Sequence, residues 1–210
     1  IRSKIEEWKN TKFINEEEYF FLLASLLESA DKVANTASGY GAFLKHIKKS
    51  AQKELILKPA DFEINENKHI IFNEDANILI KKIKGDILYL DPPYNSREYG
   101  ANYHLLNTIA LYDDFIPKGK TGLREYEKSN WCKKDKVYIE LENLIKNADF
   151  KFIFLSYNDE GLLSLNQIKE IFEKYGKYDL KSKTYKRFKA DNNRLNKKDD
   201  TTEYLHILVK

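Results

Sequence analysis

From Glu16 to about Asp31 the apolar side chains Tyr19, Phe20, Leu22, Leu23, Leu26, Leu27 and Ala30 recur at helical spacing. Asn15, with Glu18 three residues later, has the form of a capping box at the start of that helix. After the turn-like Asn35-Thr36-Ala37-Ser38-Gly39, a second helical segment is expected over about 40–52. It would carry Phe43, Leu44 and Ile47 on one face and Lys45, Lys48 and Lys49 on another, and Pro59 closes the helical part.

The pattern then changes. His69-Ile70-Ile71-Phe72 reads as a short strand, and a helix is expected from about Ala76 to Ile83. Gly85 breaks the chain, and Asp86-Ile87-Leu88-Tyr89-Leu90 is the continuous apolar run of a strand covered on both faces. Tyr138 to Lys146 reads as a helix, Phe152-Ile153-Phe154-Leu155 as another buried strand, and Leu165 to Lys174 as another helix. Strands alternating with helices imply a parallel sheet. At the end, Lys181 to Lys189 alternates loosely and Tyr204 to Val209 is a final strand, with polar Asp191 to Thr202 between them, as in an antiparallel hairpin. The expected fold is α/β: a mostly parallel sheet with an antiparallel C-terminal edge hairpin, plus an N-terminal helical segment. The expected division is residues 1–58, helical, and 59–210, carrying the sheet.

Composition narrows the class. The 210 residues are 42% hydrophobic and 33% charged, with 8 Gly and 4 Pro, which is the profile of one folded domain. Cys132 is the sole cysteine, so no internal disulfide framework can form, which suits a reducing compartment and leads us to expect a cytoplasmic protein without a membrane partner. His46, His69, His104 and His206 are widely spread, and no metal site is expected. The net charge of +3 conceals an asymmetry: residues 1–115 hold 15 basic and 18 acidic side chains, residues 116–210 hold 21 and 15. A polyanion would be drawn to the C-terminal half, although lysines also serve simply as a solvated surface.

The chemistry is concentrated in Asp91-Pro92-Pro93-Tyr94, at the end of a predicted buried strand, where open α/β sheets hold their ligands. Two successive prolines fix the backbone and offer no N–H, so the loop presents carbonyl oxygens and one carboxylate. Those groups suit the methylation of an exocyclic amine: Asp91 and a backbone carbonyl of the proline pair each accept one amino N–H and free the lone pair. Tyr94 offers a flat face for a base removed from a duplex. The competing reading is a strand-terminating turn with a packing tyrosine. The apolar strand before the motif and the continuation Asn95-Ser96-Arg97-Glu98-Tyr99-Gly100-Ala101-Asn102-Tyr103-His104 favour chemistry.

Residues 91–104 resemble the signature loop and following helix of the DPPY-type DNA adenine-N6 methyltransferases of restriction-modification systems. The resemblance implies a Rossmann-like methyltransferase sheet, S-adenosylmethionine as cofactor, double-stranded DNA as substrate and a cognate restriction endonuclease as a candidate partner. Asp91, Pro92, Pro93 and Tyr94 are then the catalytic loop, in which Asp91 and the Pro92 carbonyl hold the target amine and Tyr94 stacks on the flipped adenine. Asn73-Glu74-Asp75-Ala76 stands where that family places an acidic residue beside the cofactor's adenine, which makes Asp75, Ala76 and Asp91 cofactor candidates; Asp75 reads equally well as a helix cap. Ser156-Tyr157-Asn158 is similar to the end of the family's next strand, which lines the same pocket.

Asn95, Arg97, Tyr99, Asn102, Tyr103 and His104 are substrate candidates, with the alternative that the last three cap and pack the next helix. In the basic C-terminal stretch, Lys186, Arg187 and Lys189 are expected on phosphates, with Asn193 and Arg194 near bases. Cys132 invites a covalent mechanism, but amine methylation requires none.

The family's glycine-rich Phe-x-Gly-x-Gly cofactor loop has no counterpart here, nor has the acidic residue that binds ribose; Gly39-Tyr40-Gly41 lacks a preceding strand. The chain therefore reads as a fragment, about the last two-thirds of a complete methylase, with 1–58 buttressing the sheet. Two rivals stay open: an amine or amide methyltransferase acting on RNA or protein, and a non-enzymatic DNA-binding module.

Overall fold

The computed structural model describes residues 1–36, 39–42, 44–186 and 200–210. In chain order the elements are α1 (Arg2–Asn10), α2 (Glu16–Lys32), α3 (Ala76–Leu79), β1 (Lys84–Leu90), α4 (Tyr99–Asn102), α5 (His104–Leu111), α6 (Val137–Asn147), β2 (Asp149–Asn158), α7 (Leu165–Glu173), β3 (Lys177–Lys186) and β4 (Asp200–Val209). They fall into two compact units, one of residues 1–68 and 99–127, the other of 69–98 and 128–210. Among the described residues no helix is long and apolar enough to cross a membrane.

The first unit is helical. The capping box of α2 forms as expected: the Asn15 side chain accepts from the Glu18 amide at 2.9 Å while the Asn15 amide donates to the Glu18 carboxylate at 2.8 Å. The stripe Tyr19, Leu23 and Leu26 packs with Ile5 of α1 and with Ile109 and Ala110 of α5. Arg2 donates to the carbonyls of Ile109 at 2.7 Å and Ala110 at 3.2 Å, satisfying acceptors that a helix end leaves without partners.

The helix expected over 40–52 is a difference: among the described residues of that stretch only a 3-10 turn forms, Lys49–Gln52. Tyr40 is drawn elsewhere, its amide donating to the Asn102 carbonyl at 2.7 Å and its hydroxyl to Asp31 at 2.6 Å, and Ile47 remains 65% exposed, so among the described residues no apolar stripe is buried to support a helix. Phe43 lies outside the described residues.

The second unit holds a four-stranded sheet in the order β1-β2-β4-β3. β1 and β2 are parallel, with Leu90 opposite Leu155; β2 and β4 are antiparallel, as are β4 and β3. The hairpin of the last two strands is therefore present, but the described sheet is mixed instead of mostly parallel, because β4 inserts between β2 and β3. The strand expected at 69–72 does not form: Ile70 is 78% and Ile71 93% exposed, with no ladder partner among the described residues. α3 stops at Leu79, short of the expected Ile83, and Gly85 lies within β1 instead of before it.

Alternate residues of the strands point to opposite faces. Leu88, Leu90, Ile153, Leu155, Tyr157 and Leu208 pack against Val137, Leu141, Leu144 and Ile145 of α6 and Ile168, Ile171 and Phe172 of α7. α7 begins at a second capping box, Ser164 with Gln167. On the opposite face Ile87 and Tyr89 are more than half exposed, so β1 is covered on one face by described residues, not on both as its sequence suggested.

Candidate active site

β1 is aligned with β2 by its parallel register and delivers Asp91-Pro92-Pro93-Tyr94 directly past its last paired residue, Leu90. The backbone of the loop is tied to the segment that follows β2: the Leu162 amide donates to the Tyr94 carbonyl at 2.9 Å. Tyr157, buried at the end of β2, meets Tyr94 edge-on, with ring centroids 6.2 Å apart and planes at 79°. The Leu163 amide donates to the Tyr157 hydroxyl at 3.3 Å, which fixes the far side of that ring. Gly161 makes the approach feasible, since a Cβ there would stand 2.1 Å from the Tyr157 ring. Beyond Tyr94, Asn95 accepts from the Arg97 amide at 2.9 Å, the Ser129 amide donates to Glu98 at 3.1 Å, and the Cys132 thiol donates to the Arg97 carbonyl at 3.7 Å.

A cavity of about 370 Å³ opens at this loop, and its walls include Asp75, Ala76, Leu90, Asp91, Pro92 and Trp131. Asp75 is the N-cap of α3, one carboxylate oxygen accepting from the amides of Asn77 at 2.8 Å and Ile78 at 3.1 Å. Both readings of Asp75 are thus compatible: it caps the helix and also faces the cavity. Glu74, Ser129 and Leu144 also line it, and Glu74 pairs with Lys82. The indole N–H of Trp131 is buried without a partner among the described residues. Ser129 and Trp131 went unforeseen, because in sequence they stand in a basic stretch that reads as surface.

The remaining candidates separate. Ser156 is half-buried, Tyr157 and Asn158 are buried, and all three lie at the end of β2 beside the loop. Asn158 accepts from the Glu160 amide at 3.1 Å. Burial holds the Glu203 carboxyl above the usual range, opposed by the hydrogen bond from Asn158 and reinforced by the charges of Asp159 and Asp91. This second carboxylate near Asp91 has no sequence signal; the pairing of Glu203 with Asn158 across two strands reveals it.

Tyr99, Asn102, Tyr103 and His104 belong to the helical unit. There Tyr99 and Tyr103 stack, centroids 5.5 Å apart at 12°, Asn102 receives the Tyr40 amide, and His104 is buried with its Nε2 3.2 Å from the Tyr40 carbonyl. His104 is thus packed inside the helical unit, while the contact of Asn102 with Tyr40 is made by its backbone carbonyl. Lys186 ends β3, exposed; Arg187, Lys189, Asn193 and Arg194 lie outside the described residues. Cys132 is buried, and burial followed by the charge of Glu98 pushes its thiol up to about 11, a poor state for a nucleophile.

A carboxylate and carbonyls at a strand's C-terminal end, beside a cavity lined by both apolar and acidic side chains, stand where open α/β sheets hold their ligands. Comparison with known proteins gives the family: residues 1–176 match the D12 class N6 adenine-specific DNA methyltransferases, and the chain belongs to that family. It is similar to the type II methyltransferase M.NlaIII of Neisseria lactamica, 65% identical over all of this chain and 64% of that protein. It is also similar to the type II methyltransferases M.CviAII of Paramecium bursaria Chlorella virus 1, 43% identical over 99% of this chain and 62% of that protein, and M.FokI of Planomicrobium okeanokoites, 42% identical over 100% and 33%. The chain thus spans under two-thirds of the length of each of these relatives. No solved structure matches.

Proposed function

We propose that the protein containing this chain is an S-adenosylmethionine-dependent DNA methyltransferase that modifies N6 of an adenine turned out of the duplex, within a restriction-modification system. The observation that carries this reading is the Asp91-Pro92-Pro93-Tyr94 loop, held rigid at the end of β1 beside the cavity that Asp75 and Trp131 line. The sheet is then one part of a Rossmann-like methyltransferase sheet, with residues 59–210 supplying the catalytic part.

The cavity suits the adenine end of the cofactor. Asp75 has a carboxylate oxygen beyond the one spent on the cap, which accepts from an exocyclic amine; the Trp131 N–H seeks an acceptor; Leu90, Pro92 and Leu144 flank a flat ring. When bound, S-adenosylmethionine supplies an electrophilic methyl group. The residues of this chain do the rest of the work on the substrate. The Asp91 carboxylate and the Pro92 carbonyl each accept one N–H of the adenine amine, which draws its lone pair out of conjugation. Tyr94, braced by Tyr157, stacks on the base and holds the amine in line. The proton displaced from the amine passes to an Asp91 carboxylate oxygen.

The matched family is one of adenine-specific DNA methyltransferases, which favours DNA over RNA or protein as substrate. The test is incorporation of labelled methyl groups from S-adenosylmethionine by the full-length protein, offered DNA, RNA and protein separately, with the product base identified. N6-methyladenine in DNA is the expected product. Methylation of RNA or protein alone, or binding of DNA without any transfer, would move the assignment to one of the rival classes.

A further inference from the structure

The DNA reading requires the strand beside the flipped base to be held, and the hairpin of the last two strands carries groups suited to that on the same face as the loop's neighbour Ser156. A shallow cavity of about 210 Å³ there is lined by Ser156, Lys181, Lys183, Tyr185 and Glu203. Register puts Ser156 opposite Leu205 and Leu205 opposite Lys181, and likewise Asn158 opposite Glu203 and Glu203 opposite Lys183. Two strand spacings therefore separate Ser156 from Lys181, roughly 10 Å between backbones. Ser156 itself directly follows Leu155, whose partner Leu90 directly precedes Asp91.

We propose that this cavity is a binding site for the sugar-phosphate backbone of the DNA strand carrying the target base, with Lys181 and Lys183 on successive phosphates. This rests on the methyltransferase reading above. The two lysines project from one face of β3 about 6.7 Å apart, a step that matches consecutive phosphates along a strand drawn out of its stack. Lys183 is positioned by Tyr185, its ammonium 5.0 Å from that ring's centroid. Lys181 lies 3.7 Å from Asp179, with both side chains well exposed, an ion pair that solvent screens and that a phosphate can displace. Glu203 is the carboxylate facing the cavity. Burial and the charges of Asp159 and Asp91 raise its pKa, against the hydrogen bond from Asn158.

The test uses the full-length protein and a duplex containing its methylation site. Dissociation constants are measured across a salt series for the wild type, for Lys181→Gln with Lys183→Gln, and for Lys177→Gln, at the opposite end of the same strand. The double variant should reduce the salt slope by about 1.8, weaken binding at 0.1 M salt by roughly tenfold or more, and raise KM for DNA while leaving kcat at saturation near the wild-type value. Tyr185→Phe should bind like the wild type and Tyr185→Leu should lose part of the Lys183 contribution. A double variant with the wild-type slope, or a loss equalled by Lys177→Gln, overturns the proposal while the wild type's methylation of DNA still stands. A wild type that methylates no DNA would instead remove the reading on which the proposal rests.

Discussion

Tyr94 and Tyr157 meet edge to face, their ring centroids 6.2 Å apart and their planes at 79°, so the ring proposed to stack on the base is braced by a buried ring from the neighbouring strand. The partners of Tyr157 are equally local: its hydroxyl accepts the Leu163 amide, and Gly161 passes beneath its ring.

Gly161→Ala therefore tests whether the brace matters. The added methyl would stand 2.1 Å from the Tyr157 ring, which must move and carry Tyr94 with it. Turnover is expected to fall by roughly tenfold to a hundredfold, since small misplacements at a reacting centre cost that much. A variant that is folded by circular dichroism and retains wild-type kcat would show that Tyr94 needs no brace.

The capping role of Asp75 and its proposed cofactor role can be separated by Asp75→Asn, which keeps an oxygen for the amides of Asn77 and Ile78 but replaces a carboxylate oxygen with a donor. Cofactor affinity of the full-length protein should weaken by about tenfold with little change in Tm. Asp75→Ala should in addition lose about 1 kcal/mol of stability with the cap. Equal cofactor affinity in Asp75→Asn and wild type, by calorimetry, would leave only the capping role.

Much of this was legible in the sequence where local chemistry decides the outcome. The α2 capping box, the α6 and α7 stripes and the place of Asp91-Pro92-Pro93-Tyr94 at a strand end all follow from short-range patterns. The errors fall where the outcome depends on distant partners. Residues 40–52 look helical until Tyr40 is seen tied to Asp31 and Asn102. Residues 69–72 have a strand's composition but join no ladder among the described residues, and β4 enters the sheet between β2 and β3, an order that no periodicity reports. Glu203 and Trp131 reach the site through register and packing alone.

His206 makes the fold sensitive to acid. It is fully buried on β4, with Nδ1 2.9 Å from the Tyr178 hydroxyl and Nε2 without a partner among the described residues, and burial pushes its pKa down to about 4. Because the unfolded chain takes up the proton more readily, near 6.5, the contribution of this group is complete above about pH 6.5 and is lost as pH falls toward 4, by roughly 3 kcal/mol in all. Urea unfolding at pH 7.5 and 4.5 should show a smaller loss in His206→Phe than in the wild type. Equal losses in both would place the acid sensitivity elsewhere.

Cys132 is a packing residue, buried and with its thiol held neutral up to about pH 11. Cys132→Ala should retain kcat within about twofold, and the native thiol should react with iodoacetamide far more slowly than a free cysteine. Rapid alkylation accompanied by loss of activity would contradict this.

The most direct measurement is single-turnover methyl transfer to DNA by the full-length protein and its Asp91→Ala variant, with binding of DNA and cofactor followed in parallel. Removal of the carboxylate proposed to accept the amine's proton should reduce transfer by at least about a thousandfold while both ligands still bind. Transfer by Asp91→Ala within about tenfold of the wild-type rate would contradict the account.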